Sequence, residues 1–107
     1  MPWKIAYQSV LEEKAVIIDV REEHELKESG MAEGALWMPT SKMDCGNPEW
    51  SKFKTELPKN KLIYLYCKSG VRSGRVCDCL AMEGYQTTNL GGFKDWLAAS
   101  LPVKKIS

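Results

Sequence analysis

Two apolar runs without alternation stand out along the chain, Ala15-Val16-Ile17-Ile18 and Leu62-Ile63-Tyr64-Leu65-Tyr66. Short runs rich in β-branched and aromatic residues and closed by polar ones mark strands covered on both faces, as in the middle of a parallel sheet. The first run ends at Asp19 and the second at Cys67, which places Asp19, Arg21 and Cys67 at the carboxyl edge of one sheet. Open α/β sheets bind their ligands at that edge. Beyond the second run, Val76, Cys77, Leu80 and Ala81 recur at helical spacing up to Gly84. They predict an amphipathic helix from about Ser73 to Glu83, with Gly84 as its left-handed stop.

The flanking segments read less sharply. Trp3 to Tyr7 alternates weakly and predicts a short edge strand, and Ser9-Val10-Leu11-Glu12 has capping-box spacing for a helix of one or two turns. Arg21 to Ser29 is highly charged and stops at Gly30, so it reads as an exposed helix. Ala35-Leu36-Trp37-Met38 predicts a short strand closed by Pro39, residues 40–48 a loop, Glu49 to Glu56 a helix, and Leu57-Pro58-Lys59-Asn60 a turn. Tyr85 to Leu90 is β-prone and Gly91-Gly92 breaks it. Phe93, Trp96, Leu97 and Leu101 then form the stripe of a last helix, and Val103 to Ser107 is expected to fray. Five strands interleaved with helices, and no repeat, predict one α/β domain over residues 1–107 with a mainly parallel five-stranded sheet.

Composition narrows the function classes. A chain of 107 residues supports one core, and a net charge of +1 with 44% hydrophobic residues argues against disorder, a nucleic-acid footprint or a membrane-bound surface. The four cysteines, at 45, 67, 77 and 79, have neither zinc-ligand spacing nor the density of a disulfide scaffold. Reduced thiols in the cytoplasm are the expectation. The N-terminus lacks an apolar signal core, although removal of an export signal would leave the same sequence and a periplasmic protein. A monomer or weak homodimer without metal or cofactor fits this composition.

The chemistry concentrates in Cys67-Lys68-Ser69-Gly70-Val71-Arg72-Ser73. Loop amides and the first helical turn point N–H groups at a sulfur placed there, and Lys68 and Arg72 add positive charge. A fall in thiol pKa from ~8.5 to ~6.5 raises the thiolate fraction at pH 7 from roughly 3% to roughly 75%. Gly70 suits a loop that folds back on its own first residue with positive φ. Cys67 is therefore the candidate nucleophile, residues Lys68, Ser69, Gly70, Val71, Arg72 and Ser73 the candidate anion cradle, and Asp19 and Arg21 candidate supports.

A strand followed by C-K-S-G-V-R-S and a helix resembles the active-site loop of a single-domain rhodanese, a thiosulfate or related sulfurtransferase. Ile17-Ile18-Asp19-Val20-Arg21-Glu22 resembles the family's D-V-R signature, Gly34-Ala35 with Pro39 its G-A-x-x-x-P segment, and Asn89-Leu90-Gly91-Gly92-Phe93 to Trp96 its L-x-G-G…W. Where the family has G-H-I this chain has Gly30-Met31-Ala32, so any role of that histidine does not carry over. The resemblance implies a five-stranded parallel sheet, Cys67 as the sulfur carrier and loop amides as the anion cradle. The implied partners are a small sulfur donor (thiosulfate, polysulfide or a persulfide) and a thiol or cyanide acceptor.

Two alternatives are set against this reading. A cysteine-based phosphatase or arsenate reductase places arginine six residues after the cysteine, whereas here Arg72 comes at five and position 73 is serine. A non-catalytic rhodanese-like binding module commonly loses the cysteine that this chain keeps. His24, the sole histidine, reads as a solvated helix residue, Cys77 as a core residue and Cys45 as the other thiol that could serve Cys67 as a redox partner. Trp50 and Trp96 read as core, and Trp3 and Trp37 as candidates for a partner surface.

Overall fold

The computed structural model describes residues 2–44 and 46–106, so Cys45 as a redox partner lies outside the described residues. The apolar runs form β1 (Ala15–Asp19) and β4 (Leu62–Cys67), paired in parallel from Ala15 opposite Leu62 to Asp19 opposite Tyr66. β3 (Leu36–Trp37) pairs in parallel with β1, and β5 (Gln86–Gly92) with β4, giving the order β3-β1-β4-β5. Alternation along the two central strands feeds two apolar layers. Ile17, Tyr64 and Tyr66 meet α1 (Pro2–Leu11) and α5 (Phe93–Ala98) on one face. Ile18, Ile63, Leu65 and Cys67 meet α3 (Pro48–Glu56) and α4 (Val71–Met82) on the other. α2 (Glu23–Ser29) crosses the carboxyl edge, anchored by buried Leu26 and stopped at Gly30 as the charge pattern predicts.

The sheet has four strands rather than the expected five, because the segment read as the first strand is α1. Over five residues Trp3 to Tyr7 alternates, but over ten the period is helical: Trp3, Ala6, Tyr7 and Val10 share one face and pack into the core. Ile5, 61% exposed, and Leu11, 59% exposed, point away. The helix expected to open at Ser9 is instead the last turn of this one. Trp3 is also not a surface residue: it is 4% exposed and lies edge-on to Tyr66 and Trp96, at 6.3 and 6.0 Å. Trp37 is half-buried, its indole N–H donating to the Arg21 carbonyl at 2.8 Å.

Three further expectations are corrected. Val103–Lys104 does not fray but forms β6, antiparallel to β2 (Met31–Ala32) in a separate two-stranded sheet. Gly91-Gly92 does not end its strand: β5 runs through both, opposite Tyr66 and Cys67, after a register slip between Leu65 and Tyr66. The apolar stripes are also narrower than spacing suggests, since Leu97, 48% exposed, and Ala81 face outward. No helix among the described residues is long and apolar enough to cross a membrane.

Candidate active site

Cys67 is the last residue of β4, and the chain reverses within three residues to enter α4 at Val71, two positions earlier than periodicity predicts. Gly70 makes the reversal possible with φ of 96°, and a Cβ there would lie 3.0 Å from the Gly91 Cα. Gly92 presses closer still, since a Cβ on it would sit 2.5 Å from the Lys68 carbonyl oxygen. The loop therefore rests on a glycine floor supplied by β5.

The loop closes over its own sulfur. The Gly70 N–H donates to Cys67 Sγ at 3.0 Å, and the buried Ser73 hydroxyl stands 3.5 Å from it. Ser73 Oγ is also 2.7 Å from Asn89 Oδ1, which accepts from the Gly91 N–H at 3.0 Å, while Asn89 Nδ2 donates to the Gly70 carbonyl at 2.9 Å. Those two backbone partners fix the amide orientation of Asn89 and make it the brace between loop and β5. The Ser73 hydroxyl has one proton, which by rotation serves either Asn89 Oδ1 or the sulfur. Asn89 was not singled out from sequence. Its signal is a polar residue in a β-prone stretch, separated from the two glycines by Leu90 alone.

Burial by itself would raise the Cys67 thiol, but hydrogen bonds from the Ser73 hydroxyl and the N–H groups of Ser73, Gly70 and Ser69 together hold it below the ordinary cysteine value. The cations behave differently from expectation. Arg72 is not a free charge at the sulfur: its Nη1 and Nη2 donate to Glu25 Oε1 and Oε2 at 2.8 and 2.9 Å. The Arg72 guanidinium, and to a smaller degree the Glu22 N–H, hold the Glu25 carboxyl down at about 2. Glu25 is fixed from its own helix too, accepting from the Glu22 N–H at 3.0 Å. Lys68 and Ser69 are exposed and line a groove of about 520 Å³ with Arg21, Glu25, Phe93 and Lys94. Val71 is exposed beside the loop.

Asp19 and Arg21 lie beneath the loop as a buried ion pair. Arg21 Nη2 and Nε donate to Asp19 Oδ2 at 2.8 and 3.0 Å, and the Tyr66 hydroxyl donates to the same oxygen at 2.5 Å. Arg21 further donates to Ser29 Oγ and the Gly30 carbonyl, and its guanidinium stacks 4.2 Å from the centre of the Phe93 ring. This cluster ties β1, α2, β4 and α5 together. His24 is exposed on α2, and Cys79 is exposed. Burial, foremost, pushes the Cys77 thiol up to about 11. No group of three His, Cys, Asp or Glu side chains among the described residues is placed to hold a metal ion. What the loop offers is a sulfur whose anionic form is favoured by the N–H donors around it.

Comparison with known proteins agrees with the fold. A family model described as "Rhodanese-like domain" matches residues 4–99. Over 85 residues the chain is 41% identical to YqhL of Bacillus subtilis, covering 78% of this chain and 61% of that protein, so it spans about three fifths of that relative. It is 31% identical over 93 residues to a protein of Allochromatium vinosum named sulfurtransferase, covering 85% of this chain and 79% of that one. The solution structure of the 30 kDa polysulfide-sulfur transferase homodimer of Wolinella succinogenes superimposes with a TM-score of 0.72 at 29% identity, covering 97% of this chain and 76% of that one. With its β3-β1-β4-β5 sheet, its Cys67 loop and a family match over residues 4–99, the chain belongs to the rhodanese-like domain family.

Proposed function

We propose that the chain is a sulfurtransferase that carries sulfane sulfur on Cys67, from thiosulfate, polysulfide or a persulfide to cyanide or a thiol. The observation that carries this reading is the closed loop itself, in which Sγ accepts the Gly70 N–H at 3.0 Å with the Ser73 hydroxyl in reach. With thiosulfate, the Cys67 thiolate attacks the outer sulfur, a Cys67 S–S bond forms, the S–S bond of the donor breaks, and its electron pair leaves with sulfite. The terminal sulfur then bears the negative charge, which the loop N–H groups and the start of α4 are suited to hold. Cyanide attacks that sulfur, thiocyanate leaves and the thiolate returns. A thiol acceptor removes the sulfur as a persulfide in the same way. Neither step calls for a metal or an organic cofactor.

Names of relatives support the class: one is called a sulfurtransferase and another a polysulfide-sulfur transferase. Lys68 and Ser69 form the approach to the sulfur, and Gly70 to Ser73 its cradle. Asp19 and Arg21 act as supports that position α2 and the end of β4. Free thiols at Cys67, Cys77 and Cys79 fit work in the cytoplasm. Steady-state kinetics with donor and cyanide varied together test the reading. Parallel double-reciprocal lines, and loss of thiocyanate formation in Cys67→Ser, are the expected results. Intersecting lines, or a Cys67→Ser variant that still turns over, would contradict it.

A further inference from the structure

We infer that Glu25 is a specificity-determining residue, which neutralises Arg72 by a bidentate ion pair and thereby turns the site toward singly charged persulfide and polysulfide donors and away from the thiosulfate dianion. The inference rests on the sulfur-transfer reading above and concerns its donor. Sequence places two cations in the loop, which by itself favours a dianion. In the folded chain Glu25 takes both outer nitrogens of Arg72 at 2.8 and 2.9 Å. Its Oε1 also accepts from the Glu22 N–H, so the carboxylate cannot swing aside without breaking that bond at the start of α2. Glu22 in turn bonds Ser41 and Thr40, which fastens that helical start to the next loop. Among the described residues Lys68 has no carboxylate at ion-pair distance, leaving one uncompensated cation in the loop. The groove beside the loop adds Lys94 and Glu28, whose opposite charges offset each other, so one net positive charge faces the donor and matches one negative charge better than two.

The test is the ratio of kcat/KM for thiosulfate to kcat/KM for inorganic polysulfide, with cyanide as the common acceptor. Glu25→Gln keeps the size of the side chain and an oxygen for the Glu22 N–H but releases the charge of Arg72. The ratio is expected to rise on the order of tenfold at low ionic strength, and the gain to shrink as salt is added. The double variant Glu25→Gln with Arg72→Gln removes both charges of a neutral pair and is expected to return the ratio to within about twofold of wild type. An unchanged ratio in Glu25→Gln, or a fall in both donors alike, overturns the inference and assigns the pair to holding the loop. If Glu25→Gln does not fold, the double variant decides, since a selective loss of thiosulfate there also overturns it. Sulfur loading of wild type from either donor separates these outcomes from failure of the sulfur-transfer reading, in which neither donor loads Cys67.

Discussion

Burial would raise the Cys67 thiol, and the Ser73 hydroxyl with three backbone N–H groups brings it below its ordinary value. The backbone share survives any side-chain change, but the hydroxyl share does not. Ser73→Ala should therefore shift the midpoint of haloacetamide labelling of Cys67 to higher pH, and a shift in the other direction would mean that the hydroxyl does not serve the thiolate. The sign for stability follows the same logic: a lowered folded value adds stability above the unfolded cysteine value of about 8.5, lost as pH falls through the folded value. The two loop cations should separate as well. Arg72→Ala leaves Glu25 without its partner beside an anion site, costing about 1–2 kcal/mol, between an exposed pair and a buried one. Lys68→Ala removes an exposed charge and should weaken donor capture only, in a salt-dependent way. Urea unfolding together with donor kinetics at two salt concentrations checks both, and equal losses in the two variants would contradict the division.

β5 carries more of the site than its sequence advertises. Gly92 has φ of −102°, which any residue adopts, so its glycine is explained by contact and not by conformation. Gly92→Ala should cost roughly 1–3 kcal/mol through the clash with the Lys68 carbonyl and loosen the loop. The check is a lower denaturation midpoint together with slower labelling of Cys67, and wild-type values for both would remove the glycine floor from the account. This contact marks where sequence reading stops. The buried strands, the charged α2 and the stop at Gly30 were legible, because unbroken apolar runs and a helix-terminating glycine are local signals. So was the Cys67 loop, as a cysteine, a glycine and two cations within six positions. α1 is not legible locally, because a five-residue window cannot separate weak alternation from one face of a helix. The Glu25–Arg72 pair and the Asn89 brace were not legible, because each joins residues far apart in sequence through a side-chain geometry that only the fold supplies.

Across the molecule, the sheet separates two apolar layers, and at its carboxyl edge stands the polar, buried cluster of Asp19, Arg21 and Tyr66. No buried side-chain nitrogen or oxygen among the described residues lacks a hydrogen-bond partner, so the cluster is satisfied as it stands. Removing one member is costly: Arg21→Ala strands the buried Asp19 carboxylate and should cost about 3–5 kcal/mol, whereas Arg21→Met with Asp19→Leu, which removes both charges, should cost much less. Denaturant midpoints at unchanged slope check this, and equal losses would contradict it. The same edge decides the reaction. Position 73, six residues after the cysteine, is serine, and Arg72 at five is taken up by Glu25, so aryl phosphates should not be hydrolysed, and their turnover lost in Cys67→Ser would contradict this. The central claim, a persulfide on Cys67, is tested most directly by intact-protein mass after incubation with thiosulfate or polysulfide and again after cyanide. Wild type should gain one sulfur atom and lose it with release of thiocyanate, while Cys67→Ser, which keeps Cys45, Cys77 and Cys79, should never gain it. A gain that persists without Cys67, or no gain from any sulfane-sulfur donor, would contradict the account.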